Sequence, residues 1–362
     1  SNDLIGNIFF YCSDPYKYGP ELEATFPSDA VTVTNNGTAP AKPIFTLEVN
    51  EPTTFAYISN GEEYLMMGRD VSDDEIAIEP KTSILNDPMN SLVGWTDGSY
   101  VDNGVISGTM ATDQDGFYAS SFGTGTGWHG PAKKRSLSEP LQDFESQIHV
   151  ENLNLDGGMG MIEVYFMDVN ENTVAKLGIE DAWQSLARMQ VKMQLGNPSD
   201  RHSIYGEPQR ASHWYDYRGI MRIARRGNMW TAYFAVVENG VYRYPYQMSF
   251  LDSENKYQNQ IAQIQVAIRK RPSAEATSMR VNHIYVSKLN DLSDNAVPYI
   301  AHPGDTIEMD FATKALRING ELRKDLVSMG SRFFNLQPGI NNIGVMPENT
   351  FNTTVRYREP FK

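Results

Sequence analysis

Two stretches rich in aromatic and basic side chains contain the residues best suited to bind a ligand. The first, YASSFGTGTGWHGPAKKR (118–135), has alternating glycines that allow a loop to project. The second, SDRHSIYGEPQRASHWYDYRG (199–219), has too few aliphatic residues for a core strand. Aromatic rings can stack on the C–H faces of sugars while Arg, His and Tyr bond hydroxyls, so this composition indicates saccharide binding. The candidate ligand-binding residues are Trp128, His129, Arg135, Tyr205, His213, Trp214, Tyr215 and Arg218.

The tryptophans of these two stretches also have a structural interpretation. Trp128 or Trp214 could cap the core of a β-sandwich, because tryptophan is highly buried on average. Trp95 and Trp230 lie in strand-like surroundings, where core packing is the favoured interpretation. Surface recognition and core packing therefore remain open for Trp128 and Trp214.

Evidence for a metal site is restricted to Asp113 and Asp115 in ATDQDGF. Two carboxylates at this spacing could share a structural Ca²⁺, which prefers oxygen ligands. The alternative is that Asp-Gly only forms a turn. The histidines at 129, 149, 202, 213, 283 and 302 show neither i, i+2 nor i, i+4 spacing, so they predict no zinc site. We expect that the protein requires no cofactor.

The acidic residues show no pattern typical of glycan hydrolysis. Glu308 and Asp310 form the Glu-x-Asp pair of the sequence, but no third acid follows them. Glu163 and Asp168 are five residues apart, so the period of a β-strand sends them to opposite faces. Motifs for zinc peptidases, serine hydrolases and phosphate-binding loops are absent from the sequence. The sequence therefore predicts a protein without catalytic activity.

Composition excludes several classes of partner. The 362 residues carry a formal charge of -14, whereas affinity for nucleic acid depends on Lys and Arg neutralising phosphates. No apolar run approaches the roughly 18 residues that a membrane span requires. The single cysteine, Cys12, excludes an internal disulfide, and we expect it to be a buried apolar residue.

Turn chemistry and alternation predict an all-β protein. Asn-Gly, which favours two-residue hairpin turns, occurs at 36/37, 60/61, 103/104, 239/240 and 319/320. GIMRIARRGNMWTAYFAVV (219–237) alternates around Gly227-Asn228, as a hairpin requires. Helical spacing is restricted to IEDAWQSLARMQ (179–190), which could instead continue as a strand from Met189.

The strands are distributed as though one sandwich interrupts another. Residues 20–80 supply about four short strands and the end from 298 about four more, and neither set is sufficient alone. The middle of the chain has enough strands for an independent sandwich. Insertion succeeds at exposed loops when the guest's termini lie close together. We therefore predict a discontinuous domain of residues 1–85 and 293–362, with an inserted domain of residues 86–292.

The flanks resemble a known family. Three segments carry the likeness: GNIFFYCSDPYKYGPE (6–21), VTVTNNGTAPAKPIFTLEV (31–49) and YIAHPGDTIEMDFATKALRINGELRKDLVSMGSRFFNLQPGINNIGV (299–345). In that order they are similar to the carboxy-terminal half of distal tail proteins of siphophages, about a third of this chain. The likeness implies a galectin-like β-sandwich that links the tail tube to the host-binding tip. The family's ring-forming amino-terminal domain is expected to be absent, so a hexamer, as in full-length members, is not assured.

The inserted segment resembles the guest domains of extended family members. GWTDGSYVDNGVISGTM (94–110) and RGIMRIARRGNMWTAYFA (218–235) are similar to concanavalin-type, lectin-like jelly rolls that bind carbohydrate. The resemblance implies a tail-tip (baseplate) component of a phage or prophage that binds a host cell-wall polysaccharide. Its partners would be that polysaccharide and other tail proteins, without nucleic acid or membrane insertion. The protein would be made in the host cytoplasm and reside in the virion. A glycan-cleaving tail enzyme (a polysaccharide depolymerase) and a purely structural spacer remain alternatives.

Overall fold

The computed structural model describes residues 14–154, 157–183, 188–208 and 211–362. Cys12 lies outside the described residues. The described residues form two compact units, of which the first is discontinuous in sequence and the second is continuous. The first unit contains the described residues up to Ile78 together with Leu292–Lys362, and the second, the inserted unit, is Glu79–Asp291.

The first unit is built from strands at both ends of the chain. Its first segment contains β1 (Lys17–Thr25), β2 (Ala30–Asn35), β3 (Ile44–Val49), β4 (Phe55–Ser59), β5 (Tyr64–Gly68) and β6 (Ile76–Ile78). The inserted unit begins with β7 (Lys81–Asp87), β8 (Thr96–Asp97), β9 (Gly104–Ile106), β10 (Thr109–Asp113), β11 (Gly116–Ser121), β12 (Trp128–Gly130) and β13 (Ala132–Leu141).

The remaining strands complete both units in chain order. The inserted unit continues with β14 (Phe144–Leu153), β15 (Gly160–Met167), β16 (Thr173–Asp181), β17 (Met189–Leu195), β18 (His202–Gly206), β19 (Asp216–Arg226), β20 (Met229–Glu238), β21 (Val241–Leu251), β22 (Ile261–Arg269) and β23 (Ser278–Leu289). The first unit ends with β24 (Ala296–Pro298), β25 (Thr306–Asp310), β26 (Ala315–Ile318), β27 (Glu321–Leu322), β28 (Gly339–Met346) and β29 (Phe351–Phe361). Short 3₁₀ turns cover Ala211–Trp214 and Lys324–Leu326, and no α-helix occurs in the described ranges.

The sheets of the first unit interleave the two chain ends. Among the described residues, its two larger sheets have the orders β1-β29-β3-β25-β26-β27 and β2-β28-β4-β5, and β24 pairs with β6 in a small third sheet. Ile307 of the carboxy-terminal hairpin pairs with Leu47 of β3, 260 positions earlier in the chain, and with Ile318 across its own turn. Asn319 and Gly320 have φ of 51° and 80°, the left-handed values that a tight hairpin turn requires. The core between the sheets contains Phe45, Leu47, Ile58, Met309, Phe334 and Val355.

The inserted unit is a sandwich of two larger sheets. Within the described residues, one has the order β10-β11-β23-β14-β19-β20-β21, with β7 also paired to β23, and the other has the order β18-β17-β16-β15-β22-β13-β8. Alternate residues of facing strands fill the space between them, including Phe144, Ile148, Ile162, Val164, Phe166 and Trp230. The all-β prediction is confirmed.

The boundaries of the inserted unit differ slightly from those of the predicted segment. Lys81 of β7 pairs with Leu289 of β23, so the first and last strands of the unit are neighbours in one sheet. Because β7 belongs to this ladder, the unit begins at Glu79 rather than at residue 86, and it ends at Asp291 rather than 292. Adjacent first and last strands are what an insertion into a loop requires.

The helical spacing of residues 179–190 does not produce a helix at either end of the segment, and the alternative, a strand from Met189, is what forms. Residues up to Asp181 belong to β16 and those from Met189 belong to β17, with Ile179 opposite Val191. Residues 184–187 lie outside the described residues. The ladder to β15 and β18 supplies the backbone hydrogen bonds of this segment, and this tertiary pairing overrides the short helical pattern.

Strand β15, in the middle of the seven-stranded sheet, is covered on both faces. Every residue of β15 is buried, whereas a sheet with one solvated face would show alternation. Its inner face contacts the core of the sandwich. Its outer face lies beneath Val101 and Met159 of loops and Trp128 of β12. This covered outer face positions the candidate site.

Candidate ligand-binding site

The structure places Trp214 away from any surface. Its side chain has no exposed area, and its ring packs 4.9 Å from that of Tyr217 within the core between the two sheets. The expectation that Trp214 stacks on a sugar therefore requires correction. The 3₁₀ turn Ala211–Trp214 directs this aromatic ring inward, and short-range composition does not reveal that direction.

The neighbours of Trp214 remain at the surface but do not converge on a cavity. His213 stacks on Tyr244 with ring centroids 4.0 Å apart. Tyr215 is 38% exposed, and its carbonyl accepts a hydrogen bond from the Asn154 amide. The Arg218 side chain is 61% exposed and lies 3.7 Å from Glu151. These residues have separate structural contacts rather than a common ligand site.

The candidate residues of the 118–135 stretch also differ in their surroundings, and only one of them lines a cavity. His129 is buried, and its Nδ1 lies 2.9 Å from the Gly127 carbonyl oxygen. Arg135 donates to Asp87 over 2.6 Å and thus supports the loop that follows β7. Trp128 is 7% exposed and lines a cavity. Of the eight predicted residues, the structure brings together only Trp128 and Tyr205 at this cavity.

One of the two predicted metal ligands, Asp113, is bound by an arginine. Both carboxylate oxygens of Asp113 accept hydrogen bonds from Arg280, over 2.6 and 2.8 Å. The Asp115 amide donates to the same carboxylate over 2.9 Å, as in an Asp-Gly turn. These bonds lower the pKa of Asp113 from its ordinary value. Within the described residues, no group of three His, Cys, Asp or Glu side chains is placed to hold a metal.

We expect that calcium does not change the thermal stability of the protein. Arg280 already neutralises Asp113, so a Ca²⁺ ion would have to displace a bidentate ion pair at an exposed site. Melting curves recorded with added CaCl₂ and with EGTA should coincide. A higher Tm in calcium that is lost in Asp113→Asn would instead establish the predicted site.

A cavity of about 370 Å³ lies on the outer face of the sheet containing β15. Tyr205 provides an aromatic ring that is 56% exposed, and Arg271 is also exposed at this site. The lining residues are Asp102, Asn103, Gly127, Trp128, Met161, Glu163, Glu180, Lys192, Tyr205, Arg269 and Arg271. The lining thus combines aromatic rings, an amide and charged groups of both signs.

One row across the sheet forms the floor of this cavity. The pairing places Glu163 of β15 opposite Gly178 of β16, Gly178 opposite Lys192 of β17, and Lys192 opposite Tyr205 of β18. A Cβ at Gly178 would lie 2.6 Å from Lys192 Cε. The absence of a side chain at Gly178 therefore lets Lys192 extend across β16 towards Glu163.

Glu163 is the centre of a buried ion cluster. Its Oε1 lies 2.8 Å from Lys192 Nζ and 3.0 Å from Lys176 Nζ. Its Oε2 accepts hydrogen bonds from Arg269 and, over 2.8 Å, from the Tyr165 hydroxyl. Three cations thus surround one carboxylate that has no exposed area.

The loop before β9 closes this cluster from above. Asp102 forms an ion pair with Lys176 and accepts a hydrogen bond from Gln194 over 3.0 Å. Its carbonyl oxygen accepts a hydrogen bond from Arg269 over 2.7 Å. Gly104 follows, where a Cβ would lie 2.0 Å from the Trp128 carbonyl oxygen, so the loop packs against β12 only because this residue is glycine.

The electrostatics of the cluster are unsuited to general acid catalysis. Burial raises the pKa of Glu163, but Lys192, Arg269 and Lys176 outweigh it and hold that pKa well below the ordinary value of 4.5. Burial opposes ionisation of Lys192, yet Glu163 and Glu180 raise its pKa. A glycosidase needs one carboxyl group that stays protonated near neutral pH. Glu163 is an ionised structural anion in this arrangement.

Asp168, the other acid considered with Glu163, has a structural contact of its own. It follows β15, and its Oδ1 accepts hydrogen bonds from the amides of Asn170 and Asn172, both over 2.9 Å. It therefore stabilises the turn to β16. The cluster partners of Glu163 come instead from β16, β17 and β22, and sequence reasoning missed them. The signal for them was a polar residue at alternate positions of otherwise apolar strands, as in VKMQL and IQVAIR.

A comparison with protein families identifies the carboxy-terminal region. Residues 262–361 match the family model described as "Siphovirus-type tail component, C-terminal domain". These residues are similar to a siphovirus-type tail domain. The resemblance predicted from the flanking motifs is thereby confirmed. The match begins in β22 of the inserted unit and continues through the second segment of the first unit. A search of curated protein sequences found no match.

One solved structure resembles a large part of this chain in fold. The CBM2 module of the evolved Dit of Lactobacillus casei BL23 phage J-1 is 14% identical, with a TM-score of 0.52. It covers 60% of this chain and 100% of its own. At this identity the likeness shows a shared β-sandwich fold.

Two further structures have lower TM-scores. A legume lectin-like domain from Entamoeba histolytica is 11% identical over 61% of this chain and 100% of its own, with a TM-score of 0.37. A β-glucanase from Bacillus licheniformis is 9% identical over 57% of this chain and 99% of its own, with a TM-score of 0.39. These scores are too low to support an inference.

Proposed function

We propose that this tail component belongs to the tail tip of a phage or prophage and that its inserted unit binds a saccharide of the host cell surface. The observation that carries the proposal is the aromatic and polar cavity over β15–β18, within a chain that also contains a siphovirus-type tail domain. Other tail proteins would be its partners through the first unit. The protein would be synthesised in the host cytoplasm before assembly into the virion.

The cavity has the chemistry that a sugar requires. Tyr205 presents an exposed ring at the edge, against which the C–H face of a pyranose can pack. Asn103 and Arg271 can donate to hydroxyl oxygens, and Glu180 can accept from hydroxyl groups. The ion cluster beneath holds Glu180 through Lys192 before a ligand arrives, which reduces the entropy lost on binding.

The proposed role is binding without catalysis. Glu163, the most enclosed carboxylate of the cavity, is held ionised by its three cations. Glu180 is tied to the same lysine, with 3.3 Å between its Oε2 and Lys192 Nζ. Weak binding at one site is sufficient for adhesion, because several copies on one virion raise avidity about a hundredfold or more.

We expect that Tyr205→Ala weakens saccharide binding about tenfold or more, since an aromatic ring that stacks on a sugar is lost. The measurement is a glycan array of bacterial surface oligosaccharides probed with the labelled full chain, followed by calorimetry on the strongest ligand. Tyr205 is exposed, so the melting temperature should remain unchanged.

Tyr215→Ala is the matched control for this experiment. Tyr215 is also an exposed tyrosine of the inserted unit, but it does not line the cavity. Equal loss in both variants would contradict the placement of the site. Release of soluble oligosaccharide from purified cell wall would contradict the non-catalytic role and support a depolymerase instead.

A further inference from the structure

We propose that the saccharide bound in this cavity carries an anionic substituent and that Arg271 recognises it. The inference rests on the proposed saccharide-binding function and specifies the ligand class. The shared chemistry is a negatively charged oxygen group, supplied either by a uronic acid carboxylate or by a phosphate substituent.

Arg271 is available for such a contact. Its guanidinium group lies 5.2 Å from the ring centroid of Trp128, so the aromatic ring supports one face of the planar cation. The side chain is exposed and lines the cavity. No carboxylate of the described residues forms an ion pair with it, in contrast to Arg269 close by. The edge of the Arg271 guanidinium group can therefore donate two parallel hydrogen bonds to a ligand anion.

The charges around the cavity leave one cation in excess. Asp102, Glu163 and Glu180 supply three negative charges, and each forms an ion pair with Lys176 or Lys192. The cations that line the cavity or contact these carboxylates are Lys176, Lys192, Arg269 and Arg271. The three inner cations and the three carboxylates balance one another. A ligand with one negative charge would neutralise the fourth cation at the edge.

The inner cations are not free to bind the ligand in place of Arg271. Lys192 Nζ contacts both Glu163 and Glu180, and its side chain is 11% exposed. Arg269 is 1% exposed, and it is bound to Glu163 and to the Asp102 carbonyl oxygen. Recognition of the anion should consequently depend on the one exposed arginine, whose substitution leaves the buried cluster intact.

The test uses the full chain on an array that pairs neutral bacterial oligosaccharides with uronic acid and phosphate-bearing counterparts. We expect Arg271→Gln to weaken binding of an acidic glycan about tenfold or more, with little change for a neutral one. Arg243→Gln is the matched control, because Arg243 is an exposed arginine on β21 of the other sheet. Separate uronate and phosphate arms identify the source of the anion. Competition by free inorganic phosphate shows whether phosphate alone is sufficient.

The outcomes separate this inference from the function on which it rests. Binding of neutral glycans that depends on Tyr205 but not on Arg271 would leave the saccharide site in place and overturn the anionic specificity. Stronger binding of acidic glycans that Arg271→Gln abolishes and Arg243→Gln preserves would establish it. If no glycan binds the unaltered chain, the proposed function fails and this inference fails with it.

Discussion

Glu163→Gln should destabilise the inserted unit by about 3–5 kcal/mol, because it removes the only carboxylate that contacts Lys176, Lys192 and Arg269 together among the described residues. Glutamine has nearly the same volume, so the cost comes from buried positive charge rather than from a packing defect. Urea unfolding followed by tryptophan fluorescence measures this unit specifically. All five tryptophans of the sequence, at positions 95, 128, 183, 214 and 230, lie within it.

A second substitution distinguishes charge from packing. Lys176→Met removes one of the three cations, so the double variant Glu163→Gln/Lys176→Met should be more stable than the sum of its single variants predicts. Additive losses would contradict the electrostatic explanation.

The effect of Glu163→Gln should also depend on pH. The pKa of Glu163 in the folded protein lies well below its ordinary value of 4.5, so its contribution is complete above that value. As the pH falls below 4.5 towards the folded pKa, the unfolded state binds a proton more readily and the contribution is lost. The stability difference between wild type and variant should therefore shrink in acid. A difference that stays constant from neutral pH down to pH 3 would contradict the depressed pKa.

Trp214→Ala should cost about 3–5 kcal/mol of unfolding free energy, the range for removing a large aromatic side chain from a packed core. Trp214 has no exposed area and packs against Tyr217, whose hydroxyl donates to the Ile220 carbonyl over 2.6 Å. The cavity left behind should loosen the start of β19. Chemical denaturation provides the measurement, and four tryptophans remain to report on it.

Comparison of Trp214→Ala with Tyr205→Ala distinguishes a core residue from a ligand-binding residue. A core residue lowers stability and leaves the affinity of the folded fraction unchanged, whereas a binding residue does the reverse. Trp214→Ala with an unchanged unfolding midpoint and lost glycan binding would show that the buried placement is wrong. Phe is the conservative control, since Trp214→Phe should retain most of the stability.

Several features of the fold follow from local chemistry and could be predicted. The Asn-Gly pair at 319/320 requires positive φ angles that few residues tolerate, and it forms the predicted hairpin turn. Alternating apolar residues in β3 and β25 similarly assign an inner face to each strand. Both features depend on a few neighbouring residues, so they can be predicted without knowing the rest of the fold. The order of the flanking motifs also indicated the tail family, which the family model confirms for residues 262–361.

The candidate site depends on information that is absent from any short segment. Period two places Glu163, Lys176 and Lys192 each on one face of its own strand, but it does not state which strands are neighbours or which loop covers them. Glu163 and Arg269 are separated by 106 positions and meet only because β15 pairs with β22. Likewise, the inward direction of Trp214 depends on how its turn packs. The sequence by itself determined strands, turns and the likeness of its carboxy-terminal region to a tail-component family, because these depend on near neighbours. The tertiary structure decided which polar residues meet and which aromatic residues remain exposed, because pairing and burial are long-range properties.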